Sequence, residues 1–438
     1  MRPIANSLKH EDRPLRILCL SPFFAPLANA EAFCGSKIAL HLLDAGIDLT
    51  VFDVDYTGHR KFSRDTSPMW QPLESVTVST PSDGATTKLF SIPFGVRFLS
   101  PDWPRWMAAV LKKARRIHRE RPFDVIYSRS LPNIAHIAAY WVARAIRCPW
   151  IANFNDPWDL EGTRLHPQDC DKRRKSLEVL VSEFWLRRVM MSADVLTFPN
   201  SRLRDYHLRL ARPKGECFVV PHVGHCSKPV KASEYFDLTH AGNLGAGEST
   251  RRDSTKCLLR GVRAFLDRRP EAQSIFRLLL VGKEDLPTVE LAEKLGLKRY
   301  VSCTGQLSYS KSLERMAAAP VCLLVEGKIA EGIYLPSKFA DYVQSGKPVI
   351  ALSPSTGTIA DVAHLRGVTR VSVDDSVAIE SAIDRHYDAF TRGSLEDFEP
   401  AQELRLRYDG ATIARQLRDL FVGVLAESRS RDNSHVFK

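Results

Sequence analysis

The residues best suited to chemistry lie close together in residues 331–350. Pro336 and Ser337 are residue types that begin helices, so the first helical turn would expose backbone N–H groups at the positive end of a helix dipole. Lys338 adds a full positive charge, and this combination suits a phosphate group. One turn further on, the carboxylate of Asp341 can accept two hydrogen bonds from a ribose diol. The alternative is a capped surface helix with solvated charges.

A second candidate phosphate site is the glycine-containing segment 240–248, which follows a predicted strand and includes Asn243. Glycines at such a place let the backbone approach a phosphate closely. Arg251 and Arg252 follow and would add positive charge. Lys283, which comes after another predicted strand, could contribute as well. The alternatives are an ordinary structural loop and, for Lys283, a solvated charge at a strand end.

A polar motif, Asn155-Asp-Pro-Trp158, follows the predicted strand 150–154 in the first half of the chain. Asp156 could orient a hydroxyl group or a sugar from this position. The same residues could instead begin a helix or a turn, with Asp156 as the cap and Pro157 in the first turn. Both interpretations stay open.

The elements that must position these residues alternate between strand and helix. In the first half we predict strands at 16–20, 49–54, 124–127, 150–154, 195–198 and 217–220, with helices at 32–43, 134–146 and 177–191. The pattern restarts with strands at 236–241, 277–281, 301–304, 321–325 and 348–352, and helices at 255–268, 288–295, 309–319 and 337–345. Such alternation predicts parallel βαβ units, and therefore an α/β protein.

The length of 438 residues indicates two domains of about 200 residues each. We place a first Rossmann-like domain at 1–221, a linker at 222–232 and a second Rossmann-like domain at 233–409. A helix at 410–426 would follow and could pack back on the first domain, and the polar tail 427–438 is expected to be disordered. Two doubly wound domains in tandem place the carboxyl ends of both sheets around a shared cleft, where ligands bind.

The segment Pro336-Ser-Lys-Phe-Ala-Asp-Tyr342, followed by Gly346-Lys-Pro-Val349, resembles the family 4 retaining glycosyltransferases of the GT-B fold. In many of them a helix reads Pro-Ser-Lys-x-x-(Glu/Asp)-Tyr, is followed by Gly-Lys-Pro-Val, and holds the donor nucleotide. The resemblance implies that Asp341 takes the ribose hydroxyls and that Ser337 and Lys338 lie near the diphosphate.

The family usually has a glutamate eight positions before the last acidic residue of this motif, where this chain has Ile333. Glu331 is therefore the nearest candidate to meet the sugar hydroxyls. The resemblance also implies that a basic residue after the glycine loop neutralises the leaving diphosphate. Arg252 is the first choice for that role and Arg251 the second.

Further positions that the resemblance implies lie in other loops. Gln306 and Leu307 would flank the nucleobase. Asn29 and Ala30 stand where relatives often have two glycines, in a loop whose backbone would contact the donor phosphate or the acceptor. Asp156 stands where many relatives have a histidine and where a large subgroup has Asp-Pro-Trp.

Composition narrows the class of protein without choosing a ligand. The net charge of +11 suits polyanionic partners such as phosphorylated small molecules, anionic lipid surfaces or nucleic acid. No apolar run approaches the ~20 residues that span a bilayer, and no apolar signal segment begins the chain, so we expect a cytoplasmic protein. The nine cysteines lack paired spacing and indicate reduced thiols.

Two patterns could suggest a metal, and we expect none in either. Cys217, His222, His225 and Cys226 match no common zinc spacing. Asp53-Val-Asp55 looks like a metal-binding Asp-x-Asp but ends a predicted Rossmann strand, where acidic residues are common. His136 lies on a predicted helix near the cleft, and its role is open.

The predicted function is transfer of a sugar from a nucleoside diphosphate to a hydroxyl acceptor, with the anomeric configuration retained and without metal or cofactor. Surface polysaccharide or glycolipid assembly on a lipid carrier is the expected setting, and no nucleic acid is expected as a partner. One alternative is a non-hydrolysing sugar-nucleotide epimerase. Another is a catalytically silent GT-B subunit. A nicotinamide dehydrogenase is disfavoured, because neither first strand is followed by Gly-x-Gly-x-x-Gly.

Residues 107–119 could form a basic amphipathic helix behind an aromatic loop that contains Phe90, Phe94 and Phe98. Such a helix can rest on an anionic bilayer and would bring the cleft to a lipid-linked acceptor. The alternative, which is slightly favoured, turns the apolar stripe with Trp106 inward and leaves the cations in water.

Overall fold

The computed structural model describes residues 13–56, 63–81, 102–158, 177–247 and 251–436. These residues form two α/β domains, each built on one parallel sheet, and the predicted pair of doubly wound domains is confirmed.

The N-terminal domain contains seven strands. Its elements are β1 (Arg16–Leu20), α1 (Ala30–Asp44), β2 (Asp48–Asp55), α2 (Gln71–Glu74), β3 (Thr77–Pro81), α3 (Asp102–Glu120), β4 (Val125–Arg129), α4 (Ile134–Ile146), β5 (Trp150–Asn153), α5 (Leu177–Met190), β6 (Val195–Phe198), α6 (Ser201–Leu210) and β7 (Glu216–Val219). The strand order is β3-β2-β1-β4-β5-β6-β7, and all neighbours run parallel. Every residue of β1 and β4 is buried, as expected for parallel strands covered by helices on both faces.

The C-terminal domain repeats the plan with six strands. Its elements are β8 (Phe236–Ala241), α7 (Arg252–Arg268), β9 (Phe276–Val281), α8 (Leu286–Lys294), β10 (Val301–Cys303), α9 (Tyr309–Ala318), β11 (Val321–Val325), α10 (Ser337–Gln344), β12 (Val349–Leu352), β13 (Val368–Val371), α11 (Ser376–Arg392), α12 (Gln402–Arg407) and α13 (Gly410–Val436). The strand order is β10-β9-β8-β11-β12-β13, again parallel throughout.

Six elements were not predicted from the sequence: α2, β3, α6, β13, α11 and α12. Both strands lie at an edge of their sheet and mix polar with apolar residues, so they lack the continuous apolar run of a buried strand. α11 begins at a side-chain cap, since the carboxylate of Asp375 accepts from the N–H groups of Val377 and Ala378.

The chain crosses between the domains at residues 220–235, which form neither helix nor strand. Gly224 lies so close to α10 that an added Cβ would be 2.2 Å from the carbonyl oxygen of Ala340. The backbone N–H of Gly224 donates to the carbonyl of Tyr408 at 2.9 Å. The crossing segment is therefore held against the C-terminal domain by contacts that leave no room for a side chain.

The last helix, α13, returns to the N-terminal domain. The ring of Phe421 meets that of Tyr127 edge-on at 5.6 Å between centroids, and Nε2 of Gln416 donates to the carbonyl of Val219 at 2.8 Å. The helix continues to Val436, so the expected disorder is wrong for residues 427–436. That segment contains neither glycine nor proline, and its polar residues can extend the helix into water.

The amphipathic helix α3 turns its apolar stripe inward. Trp106, Val110 and Ala114 are fully buried, and Nε1 of Trp106 donates to the carbonyl of Asp53 at 2.9 Å. The inward interpretation of this stripe is therefore the correct one. Phe90, Phe94 and Phe98 lie outside the described residues. Over the ranges that the structure describes, no helix combines the length and apolar character needed to cross a bilayer.

Candidate functional site

The strand order of the C-terminal sheet reverses between β8 and β11. Neighbouring strands whose connections leave in opposite directions open a crevice at their carboxyl ends, and ligands of doubly wound sheets bind in that crevice. Because α7 follows β8 and α10 follows β11, both helices begin at this edge of the sheet. The two segments that the sequence predicts as phosphate sites are thus brought together.

Lys338, in the first turn of α10, lies beside the end of β8. Its Nζ atom is 3.3 Å from Nε2 of His240. Nδ1 lies 2.9 Å from the carbonyl oxygen of Leu323, and Nε2 also lies 3.2 Å from the carbonyl oxygen of Asn243. In the neutral tautomer that donates from Nδ1 to Leu323, Nε2 accepts from the ammonium group. Burial, and then the charge of Lys338, holds the pKa of His240 well below its ordinary value. A neutral imidazole therefore positions the ammonium group in the crevice.

Gly242 provides the opposite wall of this position. Its φ of +95° favours glycine, and an added Cβ would lie 3.2 Å from Nζ of Lys338. Gly282, just after β9, approaches equally closely, since its added Cβ would lie 3.2 Å from Cα of Gly242. Bare backbone therefore surrounds the lysine, with Asn243 and Lys283 exposed alongside.

The two candidate arginines occupy different environments. Arg252 is the exposed first residue of α7, and its Nε donates to the carbonyl of Ala246 at 3.3 Å. Arg251 is half-buried at the N-cap of α7, and its positive charge acts on the buried His240 and Glu326. Arg251, the second choice from the sequence, is thus the arginine coupled to the crevice interior. Residues 248–250 lie outside the described residues.

Glu326, which the sequence analysis did not select, is the first residue after β11. Its side chain is buried, with 7 % of the residue exposed, and Oε2 has no hydrogen-bond partner among the described residues. Burial raises the pKa of this carboxyl to about 7, while the Ser353 hydroxyl and the charge of Arg251 act in the opposite direction. The available signal was its position at the carboxyl end of a buried central strand.

Asp341 lies against the N-terminal domain. Its Oδ1 atom accepts from Nζ of Lys37, on α1, at 2.7 Å and from the backbone N–H of His225 at 2.9 Å. Both charged side chains are buried, with 1 % of Lys37 and 6 % of Asp341 exposed. The carboxylate predicted to hold a ribose is thus engaged in an ion pair between the domains.

Glu331 is also paired across the cleft. Its Oε1 accepts from Nη1 of Arg202, on α6, at 2.6 Å. The same guanidinium forms two hydrogen bonds to Asp361, at 2.6 and 2.7 Å. Ile333, at the position of the usual family glutamate, is buried, and its carbonyl accepts from Nδ2 of Asn200. The structure therefore places Glu331 in a bridge between the domains.

A further bridge lies at the loop before α9. Gln306 is exposed and donates from Nε2 to the hydroxyl of Ser63 at 3.0 Å, while Leu307 is half-buried beside it. Asp65 accepts from the backbone N–H of Tyr309 at 2.6 Å and from Nε1 of Trp70 at 2.8 Å. The two residues predicted to flank a nucleobase thus lie where the two domains meet.

The N-terminal sheet has its own reversal point, between β1 and β4. Glu31 accepts there from Nδ2 of Asn155 at 2.8 Å and from the N–H of Leu131 at 3.3 Å. Burial raises the pKa of Glu31, and the nearby charge of Arg129 acts in the opposite direction. Asp156 follows this network and is half-buried. The motif after β5 therefore belongs to a polar cluster that faces the cleft.

The loop before α1 uses its polar residue as a helix cap. The side chain of Asn29 accepts from the N–H of Ala32 at 2.7 Å, and its φ of −146° is extended. The replacement of glycine is therefore free of strain. Ala30 is exposed at the start of α1. Ser337 begins α10 without acting as its cap, which is Pro336, and no side-chain cap bond forms there.

The remaining candidates are structural. His136 is fully buried, with Nδ1 2.8 Å from the hydroxyl of Ser128, and burial lowers its pKa to about 3. Asp53 is buried, and its pKa rises to about 6 for the same reason. In the described part of the chain, no group of three or more His, Cys, Asp or Glu side chains is arranged to hold a metal ion.

Comparisons with known proteins agree with this architecture. Residues 37–222 match the glycosyl transferase 4-like domain. Sucrose-phosphate synthase from Thermosynechococcus elongatus superposes with a TM-score of 0.65 at 15% identity, over 94% of this chain and 100% of that one. HepE from Anabaena in complex with UDP-glucose gives 0.61 at 15% identity, over 93% and 100%. A UDP-GlcNAc 2-epimerase from Methanocaldococcus jannaschii gives 0.51 at 11% identity, over 92% and 99%.

No curated protein sequence matches the chain. At these identities the solved structures show the fold alone, which is the GT-B fold of two facing Rossmann-like domains. They confirm the predicted fold class, and the domain match over residues 37–222 bears out the resemblance that the sequence predicts.

Proposed function

We propose that this chain, which contains a glycosyl transferase 4-like domain within a GT-B fold, moves a sugar from a nucleoside diphosphate to a hydroxyl acceptor and retains the anomeric configuration. The observation that supports this most strongly is the arrangement of Lys338, His240 and Gly242 in the C-terminal crevice. A cation held by a neutral imidazole against bare backbone, between two helix N-termini, suits a diphosphate. HepE, a structural neighbour, was solved with UDP-glucose.

Sugar transfer in the C-terminal crevice requires stabilisation of the negative charge that develops on the leaving diphosphate. Lys338 and Arg251 would supply it, with Arg252 at the start of α7. The first backbone N–H groups of α10 would add to it, apart from that of Phe339, which donates to the carbonyl of Pro336 at 2.9 Å. Since fixed cations can do this work, we propose transfer without a metal ion or a bound cofactor. Turnover should then persist in EDTA, and loss of activity that Mg²⁺ restores would contradict it.

The acceptor would enter from the N-terminal side of the cleft. Asp156 and the Glu31–Asn155 pair lie at the carboxyl edge of that sheet and could orient a hydroxyl group. Asp156→Asn should then reduce transfer far more than nucleotide binding. Equal losses of stability and activity would point to the turn-capping role instead.

A lipid-linked acceptor, reached at the inner face of a membrane, would fit a surface of the N-terminal domain. Helix α3, which carries exposed cations, packs against α4, and α4 packs against α5. Three large apolar side chains are exposed on α4 and α5; the cations and apolar residues are Lys112, Arg115, Arg116, Trp141, Leu180 and Phe184. Each cation near an anionic bilayer contributes about 1 kcal/mol. Co-sedimentation with anionic but not neutral vesicles, lost when Lys112, Arg115 and Arg116 become Glu, is expected. Absence of binding at low salt would contradict it.

An epimerase is the second candidate, because a UDP-GlcNAc 2-epimerase shares the fold. Such an enzyme would convert UDP-GlcNAc without any acceptor, and NMR of the sugar nucleotide would show it. A catalytically silent subunit would bind nucleotides without turnover in either assay.

The first experiment is a thermal-shift screen of UDP, GDP, dTDP and their common sugar conjugates. A ligand at 100 times its Kd stabilises the folded protein by about 2.7 kcal/mol, which is readily seen. A rise in Tm with one nucleotide series is expected. Unchanged Tm with every nucleotide would contradict the proposed function.

A further inference from the structure

Three carboxylates follow β11 along the chain, and the structure treats them differently. Glu331 and Asp341 are paired with Arg202 and Lys37 of the N-terminal domain. Glu326 is buried within the C-terminal domain, and its Oε2 atom has no hydrogen-bond partner among the described residues. A buried acceptor without a partner costs about 1–3 kcal/mol. Such an atom calls for a partner that the described residues do not supply, which can be a ligand group or an ordered water.

The wall beside this carboxyl is bare backbone. Gly332 faces it, and an added Cβ there would lie 3.5 Å from Oε1 and 3.7 Å from Oε2. Gly332 is itself held by Thr356 and Thr358, since its N–H donates to the carbonyl of Thr356 at 3.0 Å and its carbonyl accepts from the N–H of Thr358 at 2.7 Å. The loop therefore presents both carboxyl oxygens to a space that no side chain of Gly332 fills.

The neighbouring charges indicate what kind of ligand group belongs here. β8 and β11 are adjacent parallel strands, with Val321 opposite Leu238, so Glu326 and Gly242 each follow their strand at the same edge of the sheet. A carboxylate repels a diphosphate, but it accepts hydrogen bonds from neutral hydroxyl groups. Arg251 places a positive charge near the carboxyl and favours its ionised form. The chemistry suits a polyhydroxyl group attached to the diphosphate.

We propose that Glu326 binds a hydroxyl group of the transferred sugar, in the crevice whose phosphate part is formed by Lys338 and Gly242. This inference rests on the proposed function, because it requires a nucleotide sugar in that crevice. Glu326 would make the contact that Ile333, an apolar buried side chain, cannot make. This assignment also explains why Glu331 can pair with Arg202 instead of binding the sugar.

The test separates the sugar from the nucleotide by titration calorimetry with UDP against UDP-glucose and GDP against GDP-mannose. For the pair that the parent chain binds, Glu326→Gln should weaken the affinity for the nucleotide sugar at least tenfold. It should change the affinity for the nucleotide alone by less than twofold. Equal weakening of both ligands, or no weakening of either, would overturn the role of Glu326. A parent chain that binds neither these four ligands nor any dTDP ligand of the thermal-shift screen would overturn the proposed function, and this inference with it.

A second variant keeps the test decisive if Glu326→Gln does not fold. Gly332→Ala places a methyl group at ordinary contact distance over both carboxyl oxygens and over Cα of Gly357. This variant should weaken the affinity for the nucleotide sugar and leave the affinity for the nucleotide unchanged. Unchanged binding of both ligands would count against the proposal. The matched control is Asp374→Asn, which removes an exposed carboxylate beyond the neighbouring strand β13 and should leave both affinities unchanged.

Discussion

The junction between the two domains and the crevice of the C-terminal sheet both contain charged groups, but they use them differently. In the junction, opposite charges pair across the domains, as in Lys37 with Asp341 and Arg202 with Glu331. In the crevice, Lys338 faces a neutral imidazole and glycine backbone, and Glu326 keeps an acceptor atom without a partner. These junction charges are therefore paired within the protein, whereas the crevice is arranged for a ligand.

This difference predicts different consequences of substitution. Removing a junction charge takes away the ion-pair partner of a group on the other domain, which lowers the free energy of unfolding most where that group is buried. Removing a crevice charge takes away a ligand contact and should change affinity more than stability. The predictions below test this division, beginning with the largest effect.

Lys37→Met should lower the free energy of unfolding by about 3–5 kcal/mol, because it leaves the carboxylate of Asp341 buried without its cation. Urea unfolding measures this directly. The double variant Lys37→Met with Asp341→Leu should recover most of the loss, since no uncompensated charge remains. A double variant as unstable as the single one would show that the ion pair is not the cause.

Low pH should also destabilise the junction between the domains, through His222. Burial, followed by the charges of Arg129 and Lys37, lowers the pKa of His222 to about 3, against 6.5 in the unfolded chain. In this pH range His222 is protonated in the unfolded chain and neutral in the folded chain. Stability is therefore lost as the pH falls from 6.5 towards 3. Between pH 6.5 and 5, protonation of this histidine in the unfolded chain lowers the free energy of unfolding by about 2 kcal/mol. Compared with the parent, His222→Asn should show a shallower decline, and an identical decline would contradict this assignment.

Lys338→Met should weaken binding of a nucleoside diphosphate by about 1.5–3 kcal/mol, the contribution of a charged hydrogen bond. The Tm of the free protein should fall less than in Lys37→Met, whose partner Asp341 is a buried carboxylate. Calorimetry and a thermal melt measure the two quantities. Arg252→Met, at an exposed position, is the comparison variant and should have the smaller effect on affinity.

Arg202→Met should have the smallest effect on stability, at most about 1 kcal/mol. Its partners Glu331 and Asp361 are 34% and 43% exposed, so water screens the pairs and solvates the carboxylates after the change. If Arg202→Met lowers the free energy of unfolding as much as Lys37→Met does, the exposure of the ion pairs does not explain how much they stabilise the protein.

The sequence predicts the parts of the site that depend on local backbone chemistry. Pro336 and Lys338 mark the start of α10, and Gly242 marks a turn after β8, because helix starts and positive φ restrict residue type at single positions. The buried strands were predicted for the same reason. The edge strands β3 and β13 were not, because their mixed polarity resembles a loop.

Partners distant in the chain could not be predicted. Lys37 and Asp341 are 304 positions apart, and Arg202 and Glu331 are 129 apart, so nothing local indicates that they pair. The motif therefore predicts Asp341 and Glu331 as ligand contacts, while the fold uses both to join the domains. Glu326 carried a weak signal in its place directly after β11, but its burial and its unpaired oxygen depend on the packing of three loops.

The central claim is that the crevice between β8 and β11 holds a nucleoside diphosphate, and a crystal structure of the chain with its tightest-binding nucleoside diphosphate tests it most directly. The diphosphate should lie within hydrogen-bond distance of Nζ of Lys338 and of the backbone after Gly242, with the junction pair Lys37–Asp341 intact. A diphosphate bound at the N-terminal reversal point between β1 and β4, or a nucleotide that makes no contact with Lys338, would contradict it.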